Sequence, residues 1–451
     1  LDVRELEWRP LDLDEATFGP GARLADIAAS DSRLAIGGSV DGNAAVWTST
    51  DGLEWERVPH DDEVFGGPAD QEIKAIVPWR DGFVAAGEVN PGSDFHPQRV
   101  AAVWVSMDGT DWTRVPHDEK VFGGKGRQEM FDMAASDDRL VIVGFDEEGP
   151  CCSDARADHD IAVWTSHDGS DWTQQTFGGG EMLALAGAAE GFVGVGHRGM
   201  WTSSDGLQWE REDPGEPRHA LLLGVAPTPG GFVAVGLGSP PDELPGAWTS
   251  SDGADWTPTE VAAPLRLGEW WMPQDVALAG SGLAQVGGPN PYGDGTSTIL
   301  VSEDGRSWVP GVTSAPVSDA HLRKVTAFGD HFVAIGSARN PWEDGQAGIW
   351  TTLEPSELSP EADGPAEPEP DERDTTATLD LLPGVELVTE EVEPGAYRVL
   401  GDGVRDVSVL PAEKPRYLGG VMDTNIAAGP DGSVWLFGWD GFCRLGEEAR
   451  H

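Results

Sequence analysis

The chain has 451 residues, enough for one large repeat domain and something smaller, with 60 glycines and 19 tryptophans against 3 tyrosines. Its formal charge of −50 repels phosphate backbones and anionic lipid, which excludes nucleic-acid and membrane-surface partners and leaves cations or neutral ligands such as glycans. No apolar run approaches the ~20 residues of a membrane helix, so no membrane insertion is expected. Cys151, Cys152 and Cys443 are too few for a disulfide framework, and the adjacent pair is read as two thiols.

In chain order the first element is Leu6-Glu-Trp-Arg-Pro10. It matches Leu53-Glu-Trp-Glu-Arg57 further on, but no strand precedes it. From there one plan repeats: a strand, a short turn, a second strand ending in glycine, a third strand carrying tryptophan, a tight turn and a fourth strand. Residues 181–211 show it most compactly, with apolar runs of about five residues between Gly/Asp turns, the pattern of short strands. The second strand recurs seven times, as RLAIGG (33–38), GFVAAGE (82–88), RLVIVGF (139–145), GFVGVG (191–196), GFVAVG (231–236), GLAQVGG (282–288) and HFVAIGS (331–337). The tight turn recurs six times with the pattern SxDGxxW, its aspartates being Asp51, Asp108, Asp168, Asp205, Asp252 and Asp304. The uneven spacing of these aspartates predicts a constant core unit with loops of variable length.

The seventh unit ends at Gly348-Ile-Trp-Thr-Thr352 without the turn, and the opening Leu6–Pro10 segment supplies its missing outer strand. The sequence therefore predicts an all-β fold, a seven-bladed β-propeller over 1–352 closed by the N-terminal strand. An acidic, proline-rich linker follows over 353–378. Residues 379–451 regain apolar strands, notably 425–445, and read as a small β-rich segment like the start of a second propeller.

The SxDGxxW turn resembles the Asp-box of the BNR and sialidase-type propellers, with DG where that family commonly has DxG. The aspartate and serine can bond the turn's backbone N–H groups, and the glycine permits positive φ. The resemblance implies that the boxes are structural and lie away from the ligand face. Sialidases also use three arginines, an acid/base aspartate and a Tyr–Glu pair. Arg23, Arg127, Arg218 and Arg323 lie near the starts of first strands, but Arg23 is followed by Leu-Ala rather than Ile-Pro, and no glutamate is placed to activate Tyr292. The catalytic motifs are missing, so no catalytic residue is assigned and the reading leans away from an enzyme.

Long insertions fall between second and third strands (88–100, 145–160, 237–246, 287–297, 337–347) or between one unit and the next (58–71, 115–128, 258–274). Both classes lie on one face, where binding loops are expected. Thirteen of the nineteen tryptophans occupy repeat positions. Of the rest, Trp270, Trp271 and Trp342 fall in loops of this face with Tyr292, near Arg339, Glu343 and Asp344, a set suited to stacking on a sugar or gripping a peptide. The near copies HDDEVFGG (60–67) and HDEKVFGG (117–124) read as one connector used twice. The loop 146–160, with Cys151, Cys152 and His159, lacks metal-ligand spacing. Calcium is compatible with these acidic loops, but no ligand set is assigned and no cofactor is expected. The function expected is a non-catalytic, monomeric, extracellular or cell-surface module that binds a glycan or protein. A glycoside hydrolase of sialidase-like fold and a purely architectural module are the alternatives. The chain begins at Leu1 rather than Met, as expected of a processed or trimmed product.

Overall fold

A computed structural model describes residues 2–354 apart from 91–98, 125–126, 137, 147–159, 179, 190, 198, 213–219, 239–244, 262–270, 281, 290–296, 316, 318–319 and 338–346; beyond them it describes the backbone of six short strands. The chain divides into two compact units, Leu1–Glu357 and Leu358–His451. In the second, Thr378–Asp380, Glu386–Glu393 and Ala396–Leu400 form one antiparallel sheet, and Asn425–Ala428, Val434–Gly438 and Gly441–Leu445 form another.

The first unit is all-β and propeller-like. Apart from Glu260–Val261 and Val312–Thr313, which pair parallel to Ser307–Pro310 and Glu7–Pro10, its described strands pair antiparallel in groups of four, the first six laid out in chain order; the fourth and fifth groups are joined by a single bridge between His197 and Leu221. The inner strands are Arg23–Ala29, Asp70–Trp79, Gln128–Ala135, Glu181–Ala188, Leu221–Thr228, Trp271–Ala279 and His321–Phe328. Each touches the next, and the last touches the first. The seventh sheet takes its outer strand from the other end of the chain: Glu7–Pro10 lies antiparallel to Ala347–Thr351, with Pro10 opposite Trp350. Trp8 is buried there and stacks on Phe332 at 5.8 Å.

Packing between sheets explains the apolar runs. The second strand of the first sheet, Leu34–Val40, is buried at every residue, because both of its faces meet neighbouring sheets. Ile36 and Trp47 of the first sheet share one core cluster with Val333 and Ile335 of the seventh, and Val84 of the second shares another with Leu140 and Trp164 of the third.

The SxDGxxW turns hold the outer strands. In all six copies the serine Oγ accepts from the glycine N–H at 2.8–2.9 Å, and the aspartate Oδ1 accepts from the two following N–H groups at 2.8–3.0 Å. The glycines take φ between 69° and 84°, a region open to glycine at little cost. In five copies the tryptophan Nε1 donates back to the glycine carbonyl at 2.7–3.1 Å.

On the opposite face the repeated connectors act as clips. Val64 and Val121 carbonyls accept from Trp104 and Trp164, while Phe65 and Phe122 carbonyls accept from Ala44 and Ala101 of the preceding sheet. His60 and His117 contact Asp62 and Glu119 within their own turns. Among the described residues no group of three or more His, Cys, Asp or Glu side chains is arranged to hold a metal.

Candidate functional site

The loop-rich face gathers charge at the start of the inner strands. In the second sheet the inner pair is long, Asp70–Trp79 against Gly82–Asn90, and its register sets Glu72 opposite Glu88. Cross-strand neighbours lie about 5 Å apart at Cβ, so two carboxylates there need cations. Lys74 Nζ reaches Glu72 at 2.5 Å and Glu88 at 3.8 Å. Arg99 Nη1 reaches Glu88 at 2.9 Å and Glu129, from the third sheet, at 2.5 Å. Arg127 lies 3.7 Å from Glu129 and stacks over Phe145 at 4.8 Å. Three carboxylates are thus answered by three cations across two sheets.

Glu88 is the buried member. Loss of water pushes its carboxyl above the usual range, against the pull of Lys74 and Arg99, and Glu129 and Glu72 push it further. Beside this network, between the first and second sheets, a pocket of about 420 Å³ opens on the loop-rich face; Arg23, Asp41, Asp70, Glu72, Glu88 and Arg99 line it. The pocket sets two guanidiniums among four carboxylates, a lining that suits a small polar ligand.

Deeper, the inner strands meet in a second charged group. Every inner strand carries a register shift at the same place, between Leu24 and Asp26, Ile73 and Ala75, Met130 and Asp132, Met182 and Ala184, Leu222 and Gly224, Pro273 and Asp275, and Leu322 and Lys324. A bulge frees a backbone N–H from its ladder. Asp26, Asp132 and Asp275, each the residue after the shift in its own strand, accept from backbone N–H groups of the next sheet, at Ile76, Leu185 and Val325, at 2.8–2.9 Å. Lys324 of the seventh sheet lies 3.8 Å from Asp26 and 3.5 Å from Asp132. Burial pushes Asp26 up to about 6 and Asp275 up to about 7, each against the attraction of Lys324. Burial opposes the lysine charge too, yet the three aspartates together hold its ammonium above the ordinary lysine range. The Lys324 side chain keeps 21% of its surface accessible, so water touches a group that protein surrounds.

Several residues singled out from the sequence lie outside the described residues: Trp270, Tyr292, Arg339, Trp342, Glu343 and Asp344, with Arg218, Cys151, Cys152 and His159. Trp271, expected in a loop, instead opens the inner strand of the sixth sheet, its backbone opposite Pro289. Arg23 and Arg323 are exposed at the start of inner strands, and Arg127 is committed to Glu129 and Phe145. Sequence reasoning missed Glu72, Glu88, Arg99 and Glu129. The signal for two of them was the repeated Gln-Glu pair, Gln71-Glu72 and Gln128-Glu129, at matched positions of consecutive inner strands.

No protein-family model matches the chain, and no curated protein matches it. Among solved structures it is similar to a phage phi92 endosialidase, at 12% identity and a TM-score of 0.41, covering 95% of this chain and 86% of that one. It is similar to a Pyrococcus horikoshii acylaminoacyl peptidase at 10% identity and a TM-score of 0.46, covering 86% of this chain and 59% of the peptidase. A Trypanosoma rangeli sialidase in complex with sialic acid shares 12% identity over 63% of this chain and 54% of its own, with a TM-score of 0.36.

Proposed function

We propose that the first unit is a seven-bladed β-propeller of the Asp-box kind and that it binds a glycan, without catalysis, on its loop-rich face. The observation that carries this reading is the pocket beside the Glu72–Lys74–Glu88–Arg99–Glu129 network. Each of its glutamates is tied to a cation, which fixes those acceptors before a ligand arrives. Rigid acceptors and planar donors recognise a pattern of hydroxyl groups at low entropic cost. We assign Trp270, Trp271, Tyr292 and Trp342 to the same face as stacking surfaces, with Arg339, Glu343 and Asp344 as their polar neighbours. In this reading the protein acts as a monomer at or outside the cell surface.

A glycan array followed by calorimetry tests it. Wild-type protein should retain a glycan, and Arg23→Met, at an exposed position of the pocket lining outside the ion-pair network, should weaken binding by about tenfold while the melting temperature shifts little. A protein ligand captured with no glycan bound would overturn the glycan assignment. One observation favours a second reading, a glycoside hydrolase on the same scaffold: Glu88 is held toward its protonated form directly opposite Glu72. Release of product from model glycosides, lost in Glu88→Gln, would establish that reading in place of the first.

A further inference from the structure

On the face that carries the SxDGxxW turns, each pair of neighbouring sheets leaves a groove between the first turn of one sheet and the tight turn of the next. The chain fills several of these grooves itself. Between the seventh and first sheets Leu353 lies so close to Gly52 that a Cβ there would come within 2.3 Å of it. Val3 occupies the same place beside Gly282, between the sixth and seventh. Elsewhere the filler is arginine. A Cβ on Gly109 would come within 2.8 Å of the Arg33 stem, and one on Gly206 within 2.9 Å of the Arg139 stem. Arg80 spans the second and third sheets, donating to the His167 carbonyl at 3.2 Å. Its charge and that of Arg139 help lower the pKa of Asp168 and Asp205, behind the backbone N–H bonds that dominate there.

Among the described residues the groove between the fifth and sixth sheets has no such filler. The residues facing it are Pro229 and Gly230, and a Cβ on Gly230 would meet nothing within 4 Å. What remains is a cavity of about 650 Å³, with Phe232, Val233 and Leu283 in its lining and Asp255, Glu303 and Asp304 at its rim. Glu303 is already paired with Arg4; Arg306, exposed and also in the cavity lining, helps lower the pKa of Asp304 behind the backbone N–H bonds, and neither Asp255 nor Asp304 has an ion pair among the described residues.

We propose that this groove binds an arginine side chain presented by a partner polypeptide, its stem on Val233 and Leu283 and its guanidinium toward Asp255 and Asp304. The molecule supplies the precedent, since arginine stems already lie against the matching glycines of two other grooves. Charge complementarity supplies the direction, because a chain of −50 presents an acidic rim to a cation. Arginine suits the place better than lysine, having a planar, weakly hydrated head that pairs with a carboxylate through two bonds. This surface is on the face opposite the glycan pocket, so the two assignments stand or fall separately.

The test uses the full chain with methyl labelling and two probes, acetyl-Gly-Arg-Gly-amide and its lysine counterpart. The arginine probe should shift the Val233, Leu278 and Leu283 methyls saturably with a Kd of about 1 mM, and the lysine probe should bind about fivefold more weakly. Gly230→Arg, which fills the groove from within, should abolish these shifts. Asp255→Asn, at an exposed position, should weaken them about fivefold and remains informative if the first variant does not fold. Equal binding of both probes, shifts that persist in Gly230→Arg, an unchanged Kd in Asp255→Asn, or no saturable shift below about 10 mM would each overturn the proposal.

Discussion

The carboxylate of Asp108 accepts two backbone N–H bonds and one from Ser106, and those bonds hold its pKa down at about 2. An exposed aspartate in this role acts as a helix N-cap does: it gives donors that the turn leaves unpaired a charged partner. Asp108→Ala should therefore cost about 1 kcal/mol in urea unfolding, and Asp108→Asn should recover roughly half of that, since the amide oxygen still accepts. The stabilisation from a carboxylate with a depressed pKa is present above about pH 4 and is lost as pH falls toward 2, so the Ala variant and wild type should converge in acid. Gln285 shows the reverse situation. It is fully buried in the second strand of the sixth sheet, and among the described residues neither its amide nitrogen nor its oxygen has a partner. The matching positions hold Ile36, Ala85, Ile142, Gly194, Ala234 and Ala334, all apolar. Gln285→Ala should stabilise the protein by about 1 kcal/mol, because removing an unsatisfied amide outweighs the small cavity left behind. A lower melting temperature in that variant would show that the amide is satisfied in solution.

At the scale of the strand, the repeated bulge turns a local irregularity into a contact between sheets. Each inner strand breaks register once, and in three places an aspartate of the preceding sheet accepts from the backbone N–H two residues past the break. The arrangement costs charge burial: three carboxylates share one ammonium. Asp275, raised to about 7, is protonated in the folded protein at pH values where the unfolded chain ionises it. Its contribution to stability is full below about pH 4 and is lost as pH rises through 7. Asp275→Asn keeps an acceptor for Val325 and removes the charge, so its advantage over wild type should be near zero at about pH 4. That advantage should grow to about 1–2 kcal/mol at about pH 8, less than the whole shift because water reaches the group and Lys324 loses a partner. Thermal melts of both proteins across that range check the sign. A variant less stable than wild type at about pH 8 would mean that the attraction of Lys324 outweighs the burial of Asp275.

At the scale of the molecule, what the sequence revealed and what it hid follow from one distinction. Strands, tight turns and the role of Leu6–Pro10 were legible because repetition writes them several times, and a missing copy is conspicuous. The SxDGxxW turns were legible for the same reason, since serine, aspartate and glycine act within one turn. The charged mouth was not, because Glu72, Glu88, Arg99 and Glu129 meet only through the register of two sheets, and a single glutamate in a strand of an acidic chain carries no mark. The axial Asp26–Asp132–Asp275–Lys324 group was hidden likewise, being drawn from four of the seven sheets. Repetition also makes the first strand testable as the seal of the ring. Glu7–Pro10 covers the edge of Ala347–Thr351, and Trp8 fills the space against Phe332. Trp8→Ala should cost about 3–5 kcal/mol, as for other fully buried tryptophans. Deleting residues 1–11 should do more, leaving an unpaired edge and an apolar face open to a second molecule, so the shortened chain should associate as its concentration rises. A synthetic peptide of residues 2–13 should then reverse both defects, raising the melting temperature with the logarithm of peptide concentration, as binding to the folded state alone requires. A shortened chain that melts like wild type and ignores the peptide would show that the sheets hold together without that strand.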